Sequence, residues 1–182
     1  MSSTNKKEEE KLVAFFAALC LFLSTIEYAI PKPLPFLRLG LANLPILLAL
    51  PLLNLKQVSL IVVLKILGQS LISGTLFSYV FLFSAAGSLA SAMGMTIFYY
   101  LFKKKNLISF VGLSLIGSLF NNFAQLIVAR YILFGNGSRL IAPILLCMGT
   151  ITGSLLGIFA EYFVSKSNWY LLLSKEKIKE GF

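Results

Sequence analysis

The sequence predicts an all-α membrane protein: a bundle of about six transmembrane helices with the N- and C-termini cytoplasmic. Three observations carry that expectation. The chain has 182 residues, of which 58% are hydrophobic and 13% charged, about half the charged fraction of a soluble domain. Its apolar residues fall in runs long enough to cross a bilayer, which takes about 20 residues. Its basic residues, which give a net charge of +9, cluster beside those runs, as topology determinants do. That placement argues against a nucleic-acid footprint.

Residues 1–11 are polar and mixed in charge (K-K-E-E-E-K) and read as a short cytoplasmic segment. No signal peptide is expected, because the apolar run that follows is too long and has no small-residue cleavage site after it. That run, 12–30, is the first span. The stretch I-P-K-P-L-P-F-L-R-L-G-L-A-N-L-P follows, over 30–45. Pro31, Pro33 and Pro35 fix φ at every second position and withhold three backbone donors. A helix is excluded there and a stiff, extended segment favoured. Residues 31–38 therefore read as an ordered extracytoplasmic loop, either closing over a pocket or serving as a rigid connector.

The second span, 39–53, is short and carries Pro45 and Pro51. The third, 57–72, ends in the turn Ser73-Gly74-Thr75. The fourth, fifth and sixth cover 77–102, 108–134 and 140–165, closing a single transmembrane domain over 12–165. The tail, 166–182, sets Trp169 to Leu173 against Lys175, Lys177 and Lys179, a pattern suited to the interface. With the N-terminus inside, eleven lysines fall on the inner side, while the outer loops hold Lys32, Arg38 and Arg139. The chain is thus expected to be a multi-pass protein of the cell membrane. Tyr99 and Tyr100, beside Lys103 to Lys105, form the aromatic belt of the inner face.

Charge within a span costs a few kcal/mol, so Glu27, Lys65, Arg130 and Glu161 need a reason. Glu161 lies one turn from the inner end, where it reaches the interface. Glu27 and Arg130, both near outer ends, either pair with each other or touch a ligand. Lys65 lies halfway along its span, where snorkelling would use its whole stem. Asn121, Asn122 and Gln125 form the densest polar set, with Gln125 sharing a helix face with both asparagines. Three amides in five residues exceed what interhelical hydrogen bonding requires, which points to a ligand-lining face. Ala14 and Ala18 have the small-xxx-small spacing that allows a close helix approach, as do Gly149, Gly153 and Gly157.

Absences narrow the chemistry. The chain has no His and no Asp, which removes His-based metal sites, most hydrolytic triads and Asp-rich magnesium motifs. Cys20 and Cys147 both fall inside apolar runs, so no disulfide or metal site is expected. No G-x-x-x-x-G-K-[ST] motif is present, so ATP hydrolysis would have to come from elsewhere. No enzyme activity, cofactor or nucleic-acid partner is expected.

The motifs I-P-K-P-L-P-F-L-R-L-G-L-A-N-L, G-T-L-F-S at Gly74 to Ser78 and N-N-F-A-Q-L at Asn121 to Leu126 resemble the Gx transporter family. Its members also go by the name heptaprenyl diphosphate synthase component I. The resemblance runs from about Leu12 to Val164. The family motif in span five is similar to H-N-L-x-Q: Asn122 and Gln125 match it, while Asn121 stands in place of the His and Phe123 in place of the Leu. The family is in turn similar to the S components of energy-coupling factor transporters. That similarity implies a six-helix bundle that binds a small molecule on the outer side, under the loop joining helices one and two. It also implies docking through an A-x-x-x-A face, here Ala14 and Ala18, onto a T-type transmembrane coupling protein driven by two ATPase subunits.

The leading expectation is therefore a substrate-binding subunit of such an uptake transporter, with Arg38, Asn43, Lys65, Asn121, Asn122, Gln125 and Arg130 facing the ligand. Several cations on a cavity would suit a carboxylate or phosphate, and the amides a heterocycle. The alternative is a non-catalytic membrane component of polyprenyl diphosphate or quinone biosynthesis.

Overall fold

A computed structural model of the chain describes residues 3–30, 40–103 and 109–179. Seven α-helices follow one another: α1 (Ser3–Ala29), α2 (Leu44–Ala49), α3 (Leu55–Ile72), α4 (Tyr79–Phe102), α5 (Phe110–Val128), α6 (Ser138–Lys166) and α7 (Asn168–Lys179). Five of them, α1, α3, α4, α5 and α6, are long and apolar enough to cross a membrane. Large apolar side chains stand outward on all five, among them Phe22, Leu64, Met93, Phe123 and Leu155. In water such a surface would be a liability; facing lipid, it is the expected exterior.

Local chemistry sets the helix ends. α3 starts on a reciprocal capping box, in which the Gln57 side chain accepts from the Asn54 N–H at 2.9 Å while Asn54 caps the Gln57 backbone. Ser109 caps α5 by accepting from the Gly112 N–H at 3.1 Å. Between α3 and α4 the chain reverses at Gly74, whose φ of +64° favours a residue without Cβ. Past Val128 the helix of α5 widens into a π-helical stretch, Ala129–Phe134.

Residue pairs fix the directions. Gln57 Nε2 donates to Glu9 Oε2 at 2.7 Å, and Leu21 packs on Gly68, so α1 and α3 run parallel. Lys65 donates to Ser88 at 3.0 Å, Asn121 touches Gly87, and Met95 touches Gly117, so α3/α4 and α4/α5 are antiparallel. Gly149 against Asn122, Gly153 against Ser118 and Gly157 against Val111 make α5/α6 antiparallel in the same way.

Because α1 and α3 point the same way, the chain between them returns through the bundle, and it does so without a sixth long helix. Where a second span was expected over 39–53, a 3-10 turn (Leu41–Asn43), the six-residue α2 and a further turn make the return. Among the described residues there are thus five helices of membrane length, where six spans were expected. Pro45 and Pro51 withhold backbone donors and prevent a continuous helix. Irregular backbone at membrane depth is tolerated only inside protein, and Leu44 to Leu50 are all buried. The first helix also differs from expectation, because α1 begins at Ser3 and takes in the polar residues that follow.

The interior divides by depth. Towards the end where the termini lie, it is apolar, with Phe16, Cys20, Leu47, Leu52, Ile61, Met95 and Tyr170 in one cluster. α7 closes that end: the Tyr170 hydroxyl donates to the Leu48 carbonyl at 2.9 Å, and Trp169 meets the Phe15 ring edge-on at 5.4 Å. From the middle of the bundle towards the 30–40 connection, the buried residues become polar: Glu27, Lys65, Gln69, Ser84, Ser88, Asn121 and Gln125.

Candidate functional site

The polar half encloses two small cavities that share Gly40, Asn43 and Asn121. The larger, about 20 Å³, adds Ser91, Ser114, Ser118, Asn122 and Thr152 among its walls. The smaller, about 10 Å³, adds Glu27, Lys65, Gln69, Ser84 and Ser88. One water takes about 10–15 Å³ on this measure, so each cavity has room for about one water. Seven segments contribute to the site: α1, the 40–43 turn, α2, α3, α4, α5 and α6.

Lys65 is 2% exposed, and its ammonium donates to Asn43 Oδ1 and to Ser88 Oγ. Asn43 in turn donates to Ser91 Oγ at 3.2 Å, so a single chain of contacts links α3, the turn and α4. Asn43 is held there by the 3-10 turn, which starts from Gly40 at φ +86°. Glu27, also 2% exposed, lies across the smaller cavity and accepts from the Ala42 N–H at 3.5 Å. An acid and a base thus line one small cavity in a bilayer-depth interior, where unpaired charge is costly.

On α5, Asn121 lines both cavities. Asn122 lines the larger one, but its amide is committed: Nδ2 donates to the Leu145 carbonyl on α6 at 2.8 Å. Gly149 makes room for it, since a Cβ there would fall 1.7 Å from that nitrogen. Gln125 is fully buried, and among the described residues neither of its side-chain polar atoms has a hydrogen-bond partner. It lines neither cavity itself and lies one turn from Asn121, beside Gly87. An amide stripped of water without replacement bonds costs about 1–3 kcal/mol per atom.

Of the residues expected to face a ligand, Asn43, Lys65, Asn121 and Asn122 come together and Gln125 stands directly behind. Arg130 does not join them. It is exposed in the π-helical stretch and lines neither cavity, because the end of span five turns that side outward. Glu27 lines the smaller cavity, whereas Arg130 lines neither. Arg38, with the loop 31–38, lies outside the described residues. Ala14 and Ala18 are both exposed on the outer face of α1.

Sequence reasoning missed Gln69 and the serines. Gln69 is four residues after Lys65, and Ser84, Ser88 and Ser91 recur at helical spacing on one face of α4, which is the signal that would have found them. Among the described residues no group of three His, Cys, Asp or Glu side chains could hold a metal ion.

Five membrane-length helices around a partly polar interior are those of a multi-pass membrane protein. The chain belongs to the heptaprenyl diphosphate synthase component I family, whose model matches residues 16–163; that range contains every residue of both cavities. No curated protein and no solved structure matches the chain.

Proposed function

We propose that the protein is the substrate-binding membrane subunit of an energy-coupling-factor-type uptake transporter, taking a small water-soluble molecule into its polar half. Energy would come from a T-type membrane partner and two ATPase subunits, docked through the exposed face of Ala14 and Ala18. The carrying observation is the fully buried Gln125 amide, with both polar atoms unpartnered, behind a cavity wall that already presents Asn43, Lys65 and Asn121. A donor and an acceptor held ready in a dry interior suit a ligand with amide-like or heterocyclic hydrogen bonding. The apolar plug at the other end supports access from the side of the 30–40 connection. The family's name suggests prenyl diphosphate chemistry. Such sites hold magnesium-diphosphate on clustered Asp, a residue this chain lacks, so we assign the chain a binding role and no catalysis.

The test is mass spectrometry of small molecules released from detergent-purified protein, compared with a Lys65→Ala, Gln125→Ala double variant. A water-soluble compound held by the parent and lost from the variant supports the reading. A polyprenyl species retained equally by both overturns it in favour of a membrane component of the lipid pathway. Co-purification of ATPase subunits with the parent checks the energising partners.

A further inference from the structure

A second concave surface lies outside the polar site. Between α3 and α4, on the side of the chain termini, a groove of about 430 Å³ is lined by Leu55, Val58, Val62, Ala92, Met93 and Tyr100 among others. We propose that this groove seats one acyl chain of an anionic phospholipid, with its phosphate held between Lys56 and Lys103.

The wall is almost wholly apolar. Of its few polar members, Ser59 spends its hydroxyl on the Leu55 carbonyl at 2.8 Å. The volume is that of a ligand pocket, which runs about 300–1,000 Å³, and not that of a packing defect. Depth selects the occupant. Along α3 the lining runs from Leu55 to Val63, about 12 Å at the helical rise of 1.5 Å per residue. Along α4 it runs from Leu89 to Tyr100, about 16 Å by the same rise. The hydrocarbon core of a bilayer is about 30 Å thick, so the groove is one leaflet deep. It stops beside the hydrogen bond from Lys65 to Ser88 that links the two helices. A transmembrane helix from a partner would need a seat through both leaflets, whereas a lipid chain needs only this one.

Charge selects the head. Lys56 is exposed and immediately follows Leu55 at the groove's mouth. Lys103 lies one turn beyond Tyr100, with its ammonium 5.7 Å from the centre of the Tyr99 ring. Two cations and an aromatic belt at the interface end of an apolar slot match a phosphate above an acyl chain.

Brominated-lipid quenching tests this on the intact chain. With Trp169 replaced by phenylalanine, a single reporter is introduced either in the groove (Met93→Trp) or on the outward face of α6 (Leu155→Trp). Both are reconstituted in vesicles of equal phosphatidylglycerol and phosphatidylcholine, with one lipid or the other brominated. Since a lysine near the surface favours an anionic lipid by on the order of fivefold, the groove reporter is expected to prefer phosphatidylglycerol by at least that factor over the α6 reporter. Lys56→Gln with Lys103→Gln is expected to erase the preference. Equal quenching by the two lipids in the groove, or a preference that survives loss of both lysines, overturns the proposal. So does a groove reporter reached by neither lipid while the α6 reporter is quenched, because protein then covers the groove.

Discussion

The side-chain amide of Asn122 donates to the backbone carbonyl of Leu145, 2.8 Å away on the facing helix, through a gap that Gly149 leaves open. The contact ties α5 to α6 beside the larger cavity, which Asn122 also lines, and makes one N–H of Asn122 a brace. Gly149→Ala would put a Cβ 1.7 Å from the amide nitrogen and break the tie, at about 1–3 kcal/mol. Thermal unfolding in detergent is expected to show a similar loss for Asn122→Ala. Gly149→Ala should cost little more once Asn122 is gone, because the two changes remove the same contact.

Gln125→Leu is expected to move stability and binding in opposite directions. Replacing an amide whose donor and acceptor are both unpartnered with an apolar group of similar volume should stabilise the ligand-free protein by about 1–3 kcal/mol. The same change should abolish retention of the small molecule. A fall in thermal stability would mean that the amide is satisfied in the bundle and is not reserved for a ligand.

Lys65 and Glu27 are opposite charges on one buried cavity. Removing one leaves the other without its countercharge in that space, which costs about 3 kcal/mol in typical interiors. Lys65→Met is therefore expected to unfold at a clearly lower temperature, and adding Glu27→Gln should recover much of the loss. Ligand retention should fall at least tenfold in both variants, since hydrogen bonds to a charged group contribute about 1.5–3 kcal/mol.

Tyr170 joins α7 to the bundle through its bond to Leu48. Burial, with a smaller contribution from Tyr99, pushes its phenol above the ordinary range. In the undocked helix the phenol would ionise near pH 10, while the docked one stays protonated. Docking is then constant below about pH 10 and weakens as pH rises further, because the undocked state loses a proton that the docked state keeps. Trp169 fluorescence, sensitive to its Phe15 contact, reports the transition. Tyr170→Phe should lower docking stability by about 1 kcal/mol and remove the alkaline dependence.

Most of the fold was legible because membrane spans announce themselves by apolar length, and α3, α4, α5 and α6 lie within two residues of the expected bounds at nearly every end. The second span was not, because hydropathy cannot distinguish a helix facing lipid from a broken segment enclosed by protein; Pro45 and Pro51 were the clue. Lys65 was legible by its cost at mid-span. Arg130 was misjudged because a charge near a helix end looks the same in sequence whether it faces in or out. Asn122 found its partner in a backbone carbonyl, and no residue identity encodes that. The serines of α4 were hidden for a related reason, since small hydroxyl residues also line ordinary helix–helix contacts.

The buried return between α1 and α3 bears on how the protein is made. A segment with two prolines and a six-residue helix cannot leave the insertion machinery sideways into lipid, where its unpaired backbone groups would have no partners. Its crossing must wait until α3, α5 and α6 have arrived to enclose it. The turn at Asn43, carried on that segment, is thus among the last parts of the molecule to reach its place, so biogenesis completes the membrane topology and the polar cavities in one step.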